Sequence, residues 1–136
     1  MSVTLTRRDG VAILTLNRPE VLNALSFAIL EELGAALDTI AKSDAKALLI
    51  TGAGPKAFCA GADIPELLGR HLVAHKRGAE LGQKVFSKLA DLPMPSVAVI
   101  HGFAFGGGME MALAANFRLV TEKAKMGLPE IKLGLI

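Results

Sequence analysis

The chain has 136 residues, 51% hydrophobic and 21% charged, which excludes intrinsic disorder and collagen-like structure and suits one domain with a buried core. Fifteen basic against thirteen acidic side chains leave a formal charge of +2, and Tyr and Trp are absent. A basic, aromatic-lined nucleic-acid surface is therefore excluded.

Val3 to Arg7 and Val11 to Leu16 are β-prone runs joined by Asp9-Gly10, a strong hairpin signal. Ser26 is placed to cap a helix from Phe27 to about Ala41, whose apolar stripe of Phe27, Leu30, Leu33, Leu37 and Ile40 keeps helical spacing. Leu25 before the cap and Leu30 after it suit a hydrophobic staple. Ala47 to Ile50 reads as a buried strand, and Gly52 to Lys56 as a loop. A longer helix is expected over Leu72 to Ala90, with Leu81, Val85 and Leu89 on one face. Pro93 and Pro95 end it and lead into a strand from Val97 to Ile100. Gly106 to Gly108 open a further helix carrying Glu110 through Ala114, and Phe117 to Thr121 reads as another strand. Strands alternating with helices indicate α/β layers.

One cysteine, Cys59, permits neither an intramolecular disulfide nor a multi-cysteine zinc site, and it reads as a buried packing residue. The stretch from Leu92 to Met109 is free of charge over 18 residues, but Pro93, Pro95, His101 and four glycines interrupt it. The first ten residues are polar and charged. A cytoplasmic protein without a membrane span is expected.

Three consecutive glycines, Gly106 to Gly108, follow a strand and start a helix, so free N–H groups of the first turn are available to an anion or a developing oxyanion. Glu110 projects from the same turn. The competing explanation is helix–strand packing that only glycine permits. Phe58-Cys59-Ala60-Gly61-Ala62-Asp63-Ile64 also offers small residues and exposed backbone, or merely a tight turn. Gly52, Gly54 and Ala57 match a G-x-G-x-x-A dinucleotide pattern, but Pro55, Gly61 and Pro65 break the helix that pattern needs, and no Walker loop occurs. His71 and His75 stand at helical i, i+4 spacing without an evident third ligand and read as a solvated face. His101 shows no catalytic partner and is assigned to the core edge. Lys56, Lys76 and Arg77 are either phosphate contacts or ordinary surface cations.

Phe58 to Ile64 and Gly102 to Glu110 resemble the signature blocks of the crotonase, or enoyl-CoA hydratase/isomerase, superfamily. Leu16-Asn17-Arg18-Pro19 with Asn23-Ala24-Leu25, then Pro93 to Ala98, and Gly127-Leu128-Pro129-Glu130 agree in order. The resemblance runs almost end to end through this chain but covers only about the first half of a family member. It implies an α/β fold, the crotonase-like ββα spiral core, as a single domain over residues 1–136 without the helical C-terminal part. By motif match it implies an oxyanion hole of the Ala62 and Gly107 N–H groups, catalytic Glu110 and Glu130, and substrate contacts from Ala60, Asp63 and Ile64. Pro65 stands where relatives often carry a basic residue, so a phosphate contact there is lost.

The activity implied is hydration of trans-2-enoyl-CoA, with no metal and no cofactor beyond the coenzyme A carried by the substrate. Double-bond isomerisation through a single carboxylate such as Glu130, and a non-catalytic acyl-CoA-binding fragment, are the alternatives. The resemblance also implies a homo-oligomer based on trimers. An isolated 136-residue chain is expected to be a truncation with weak or absent activity, and to self-associate.

Overall fold

Asp9 and Gly10 take positive φ, 51° and 83°, and this tight turn folds β1 (Val3–Arg8) back on β2 (Val11–Leu16) as the hairpin signal requires. The structure is a computed structural model and describes residues 2–68 and 71–129, with backbone alone for Ile64 and Leu67. After β2, a 3-10 turn at Pro19–Val21 leads to α1 (Phe27–Ala41). The Ser26 side chain accepts from the Ile29 N–H, so the expected cap holds. Next come β3 (Ala47–Gly52), β4 (Ala57–Cys59), the short α2 (Ile64–Leu67), α3 (Leu72–Ala90), β5 (Ser96–Ile100), β6 (Phe103–Phe105), α4 (Gly107–Ala114), β7 (Phe117–Val120) and β8 (Lys125–Gly127).

The long strands form one sheet in the order β1-β2-β3-β5-β7, antiparallel between β1 and β2 and parallel elsewhere. The short strands form a second, parallel sheet, β4-β6-β8. Each long strand after β2 is thus followed by a short strand in the other sheet, and helices return the chain to the first sheet from β4 to β5 and from β6 to β7. That is a ββα spiral. The second sheet corrects the sequence reading, in which Phe58 and Cys59 belonged to a segment read as exposed backbone or a tight turn, and none of Ala57–Cys59, Phe103–Phe105 and Lys125–Gly127 was a strand. Three residues are too few to display a period of two, and β4 is buried at every position, so no alternation exists to be read. β4 also removes the dinucleotide pattern, because Ala57 opens a strand where a phosphate-binding helix would have to begin.

β2 and β3 alternate half-buried with buried positions, and their inward residues meet Leu30, Leu33, Leu37 and Ile40 of α1 in the core. α3 adds Val85 and Leu89 and packs along α1. No helix among the described residues is long and apolar enough to cross a membrane.

Asn23 is one of two polar residues buried among the described residues, the other being Ser96; it is 1% exposed with φ +56°. Its carboxamide donates to the Ala53 and Ala57 carbonyls, both at 2.9 Å, and accepts from the Arg18 N–H at 2.9 Å. It ties the turn before α1 to the loop between β3 and β4. Asn23→Ala leaves three backbone groups without these partners, so a loss of about 3 kcal/mol is expected in urea denaturation.

Candidate active site

β4 and β6 are parallel neighbours, with Ala57 opposite Phe103 and Cys59 opposite Ala104, so the loops after them leave the sheet at the same end. The first loop carries Ala60 to Asp63 and the second carries Gly106. Gly61 has φ +105°, and a Cβ there would stand 2.9 Å from the Phe105 carbonyl oxygen and 3.7 Å from the Gly107 nitrogen. Only glycine lets the two loops come this close. Gly106, with φ +54°, then turns the chain into α4 at Gly107.

Ala62 is held by its neighbours rather than by itself. The Leu25 N–H donates to the Gly61 carbonyl at 2.7 Å, and the Asp63 N–H donates to the Leu25 carbonyl at 3.0 Å. This isolated parallel bridge uses the groups on either side of Ala62, so the Ala62 N–H faces away from Leu25. The Gly107 N–H belongs to the first turn of α4, where no intrahelical acceptor exists. Neither N–H has a main-chain acceptor among the described residues.

Ala62, Asp63, Gly107 and Glu110 line one cavity of about 400 Å³. Its other walls are Leu25, Phe27 and Leu30 around the start of α1, Glu66 on α2, and His75, Gly78, Ala79, Gly82, Gln83 and Phe86 on α3. Two amide donors, a helix N-terminus and an exposed carboxylate on an otherwise mainly apolar wall suit a ligand whose carbonyl gains negative charge.

The remaining sequence candidates take different positions. Ala60 lies outside the cavity lining, and its N–H donates to the Leu22 carbonyl at 3.0 Å. Asp63 caps α2, accepting from the Glu66 N–H, and pairs with Arg18 at 3.8 Å. Ile64 supplies the first residue of α2. Glu130 lies outside the described residues. His71 and His75 are exposed, and no cluster of three or more His, Cys, Asp or Glu able to hold a metal occurs among the described residues. His101 has a partner invisible in sequence, the Gly54 carbonyl, 2.7 Å from its Nε2.

The α3 wall falls within 68–90, the stretch from which the family resemblance leads one to expect part of the pocket wall, without naming its residues. Its signal lies in the spacing: Gly78, Gly82 and Phe86 recur every four residues, as do His75, Ala79 and Gln83. Gly78 makes room for Phe27, whose ring would stand 2.4 Å from a Cβ at that position.

Cys59 is fully buried beneath the site, and burial pushes its thiol up to about 12 from an ordinary 9.0. A thiol held neutral in this way is a poor nucleophile. Native protein is expected to resist a thiol-specific disulfide reagent, with labelling no faster than the fold opens. Because the folded value is the higher one, this group's contribution to stability is complete below pH 9 and is lost as pH rises towards 12. Urea midpoints measured across that range should fall more steeply for the wild type than for Cys59→Ala.

A ββα spiral whose two glycine loops open into one cavity defines a crotonase-like fold. The chain belongs to the enoyl-CoA hydratase/isomerase family, whose sequence model matches residues 6–136. It is 39% identical over 135 residues to a short-chain-enoyl-CoA hydratase of Clostridium acetobutylicum, covering 98% of this chain and 52% of that protein. A crotonyl-CoA hydratase of Syntrophomonas wolfei is 37% identical over 135 residues, with the same coverage of 98% and 52%. The crystal structure of an enoyl-CoA hydratase from Bacillus anthracis matches with a TM-score of 0.96 at 36% identity, covering 100% of this chain and 54% of that one. The chain therefore spans about half the length of these relatives.

Proposed function

We propose that the polypeptide carrying these residues hydrates trans-2-enoyl-CoA thioesters, with the thioester oxygen received by the Ala62 and Gly107 N–H groups. The observation that carries this reading is the shared cavity of Ala62, Gly107 and Glu110. One glutamate takes a proton from water, the hydroxyl adds to the β-carbon, and negative charge moves onto the thioester oxygen. Another glutamate then protonates the α-carbon, so the net change is one water across the double bond. Fixed donors at that oxygen supply several kcal/mol, because they need not reorganise as charge develops. Glu110 is assigned one of these proton transfers on its position. Glu130 is assigned the other on its motif alone.

The reaction involves no net oxidation or reduction, so it calls for no redox cofactor, and the two N–H groups take the place a metal would hold at the oxygen. Support for the substrate class comes from the relatives named as hydratases of short-chain enoyl-CoA and crotonyl-CoA. The same reading takes the protein as a homo-oligomer, for which the exposed edge strand β7, with Phe117, Leu119 and Val120, is a fitting contact. The test is the loss of enoyl-thioester absorbance when crotonyl-CoA is mixed with the whole native polypeptide that carries these residues. Turnover is expected, and its absence across short and medium chain lengths overturns the reading.

A further inference from the structure

Glu66 is one of three carboxylates in the cavity wall, with Asp63 and Glu110, and its partners set it apart from Glu110. Its Oε2 and Oε1 accept from the Phe27 N–H at 3.1 and 3.3 Å, across 39 residues of sequence. Phe27 is the first residue of α1, where the backbone N–H has no intrahelical acceptor and the helix dipole favours a negative charge. Glu66 also belongs to the turn that carries Ala62. Its own N–H donates to the Asp63 carbonyl at 3.1 Å and to the Asp63 carboxylate at 3.4 Å, and that carboxylate faces Arg18. The turn is thus fastened at two places: by the Leu25 bridge beside Ala62, and by the Glu66 carboxylate four residues further on. Both fastenings reach the same short segment, Leu25 to Phe27.

We infer that Glu66 is a positioning residue, whose carboxylate fixes the Ala62 N–H in the oxyanion hole by locking the 62–66 turn to the start of α1. This rests on the reading of Ala62 given under Proposed function. Glu66 transfers no proton. Its carboxylate is engaged with a backbone donor, and its effect on the reaction passes through the placement of Ala62. A displacement of the order of 1 Å in such a donor costs up to about 100-fold in rate.

The test compares Glu66→Ala and Glu66→Gln in the intact protein, by turnover of crotonyl-CoA and by backbone amide exchange followed with NMR. For Glu66→Ala, exchange is expected to accelerate at Phe27 and also at Leu25 and Asp63, the two amides of the bridge. kcat should fall about 10- to 100-fold, while KM stays within about threefold, because the lost interaction matters in the transition state. Glu66→Gln should recover most of that loss, since its side-chain carbonyl can still accept from the Phe27 N–H. A Gln variant as impaired as the Ala variant overturns the inference, for the charge or a proton transfer would then be what matters. So do Leu25 and Asp63 amides that exchange as in the wild type when Glu66 is Ala, whatever the turnover shows. If Glu66→Ala does not fold, the Gln variant decides alone. Its weaker acceptor should move the Phe27 amide resonance upfield with the bridge amides still protected, and an unmoved Phe27 amide contradicts the inference. Wild-type protein without hydratase activity would remove the proposed function, whereas the exchange results would still decide the role of Glu66 in holding the turn.

Discussion

Glu110→Gln is expected to lower hydration of crotonyl-CoA by about 10²–10⁴-fold, the usual range for a general acid–base group, while acyl-CoA affinity changes little. The substitution keeps the side chain's size and hydrogen-bonding reach and removes only its capacity to exchange a proton. Glu110 is exposed to the cavity on the first turn of α4, so its replacement disturbs no packed neighbour and the fold should survive. Stopped-flow turnover with a separate binding titration divides the two effects. Weakened binding with unchanged turnover would make Glu110 a contact residue only. Lost hydration with retained double-bond migration would instead favour an isomerase.

Gly107 and Gly108 should fail in opposite ways, although they are adjacent. A Cβ at Gly107 meets only the Leu25 Cδ1 at 3.2 Å, the end of a flexible side chain. Gly107→Val should therefore fold with a small loss of stability, yet place its branches where the thioester has to approach the N–H. Losing one oxyanion donor costs about 10²–10³-fold in kcat, and a blocked approach should cost at least as much. A Cβ at Gly108 would stand 2.1 Å from the Cys59 carbonyl oxygen and 2.8 Å from its carbonyl carbon. That contact sets a fixed Cβ against strand backbone, so β4 and α4 must move apart, and Gly108→Ala is expected to cost about 3 kcal/mol, the upper end of overpacking effects. Thermal melts and turnover on the same two variants separate the roles. Equal loss of stability in both would mean that the glycine run serves packing alone.

The difference between these glycines shows where the sequence was legible. Three glycines after a strand announced a close approach, but not which residue makes room for β4 and which faces the cavity. The helices were readable because their signals are local: Ser26 caps its own helix, and the stripe of α1 repeats within a few residues. β4, β6 and β8 escaped because each has three residues and takes its place from neighbours far along the chain. The same non-locality hid the Glu66 contact with Phe27 and the bridge between Leu25 and Ala62. Ala62, Gly107 and Glu110 came from motif resemblance, and the fold brings them to one cavity. Asp63 came from the same resemblance as a substrate contact; it lines that cavity too, and its carboxylate caps α2 and faces Arg18.

The central claim is that the Ala62 and Gly107 N–H groups together hold the thioester oxygen. A crystal structure with a bound, unreactive saturated acyl-CoA tests it most directly. The account predicts the thioester oxygen within about 3 Å of both nitrogens, in the cavity that Glu110 lines. A thioester oxygen bound to neither N–H, with the acyl group seated outside that cavity, would contradict it.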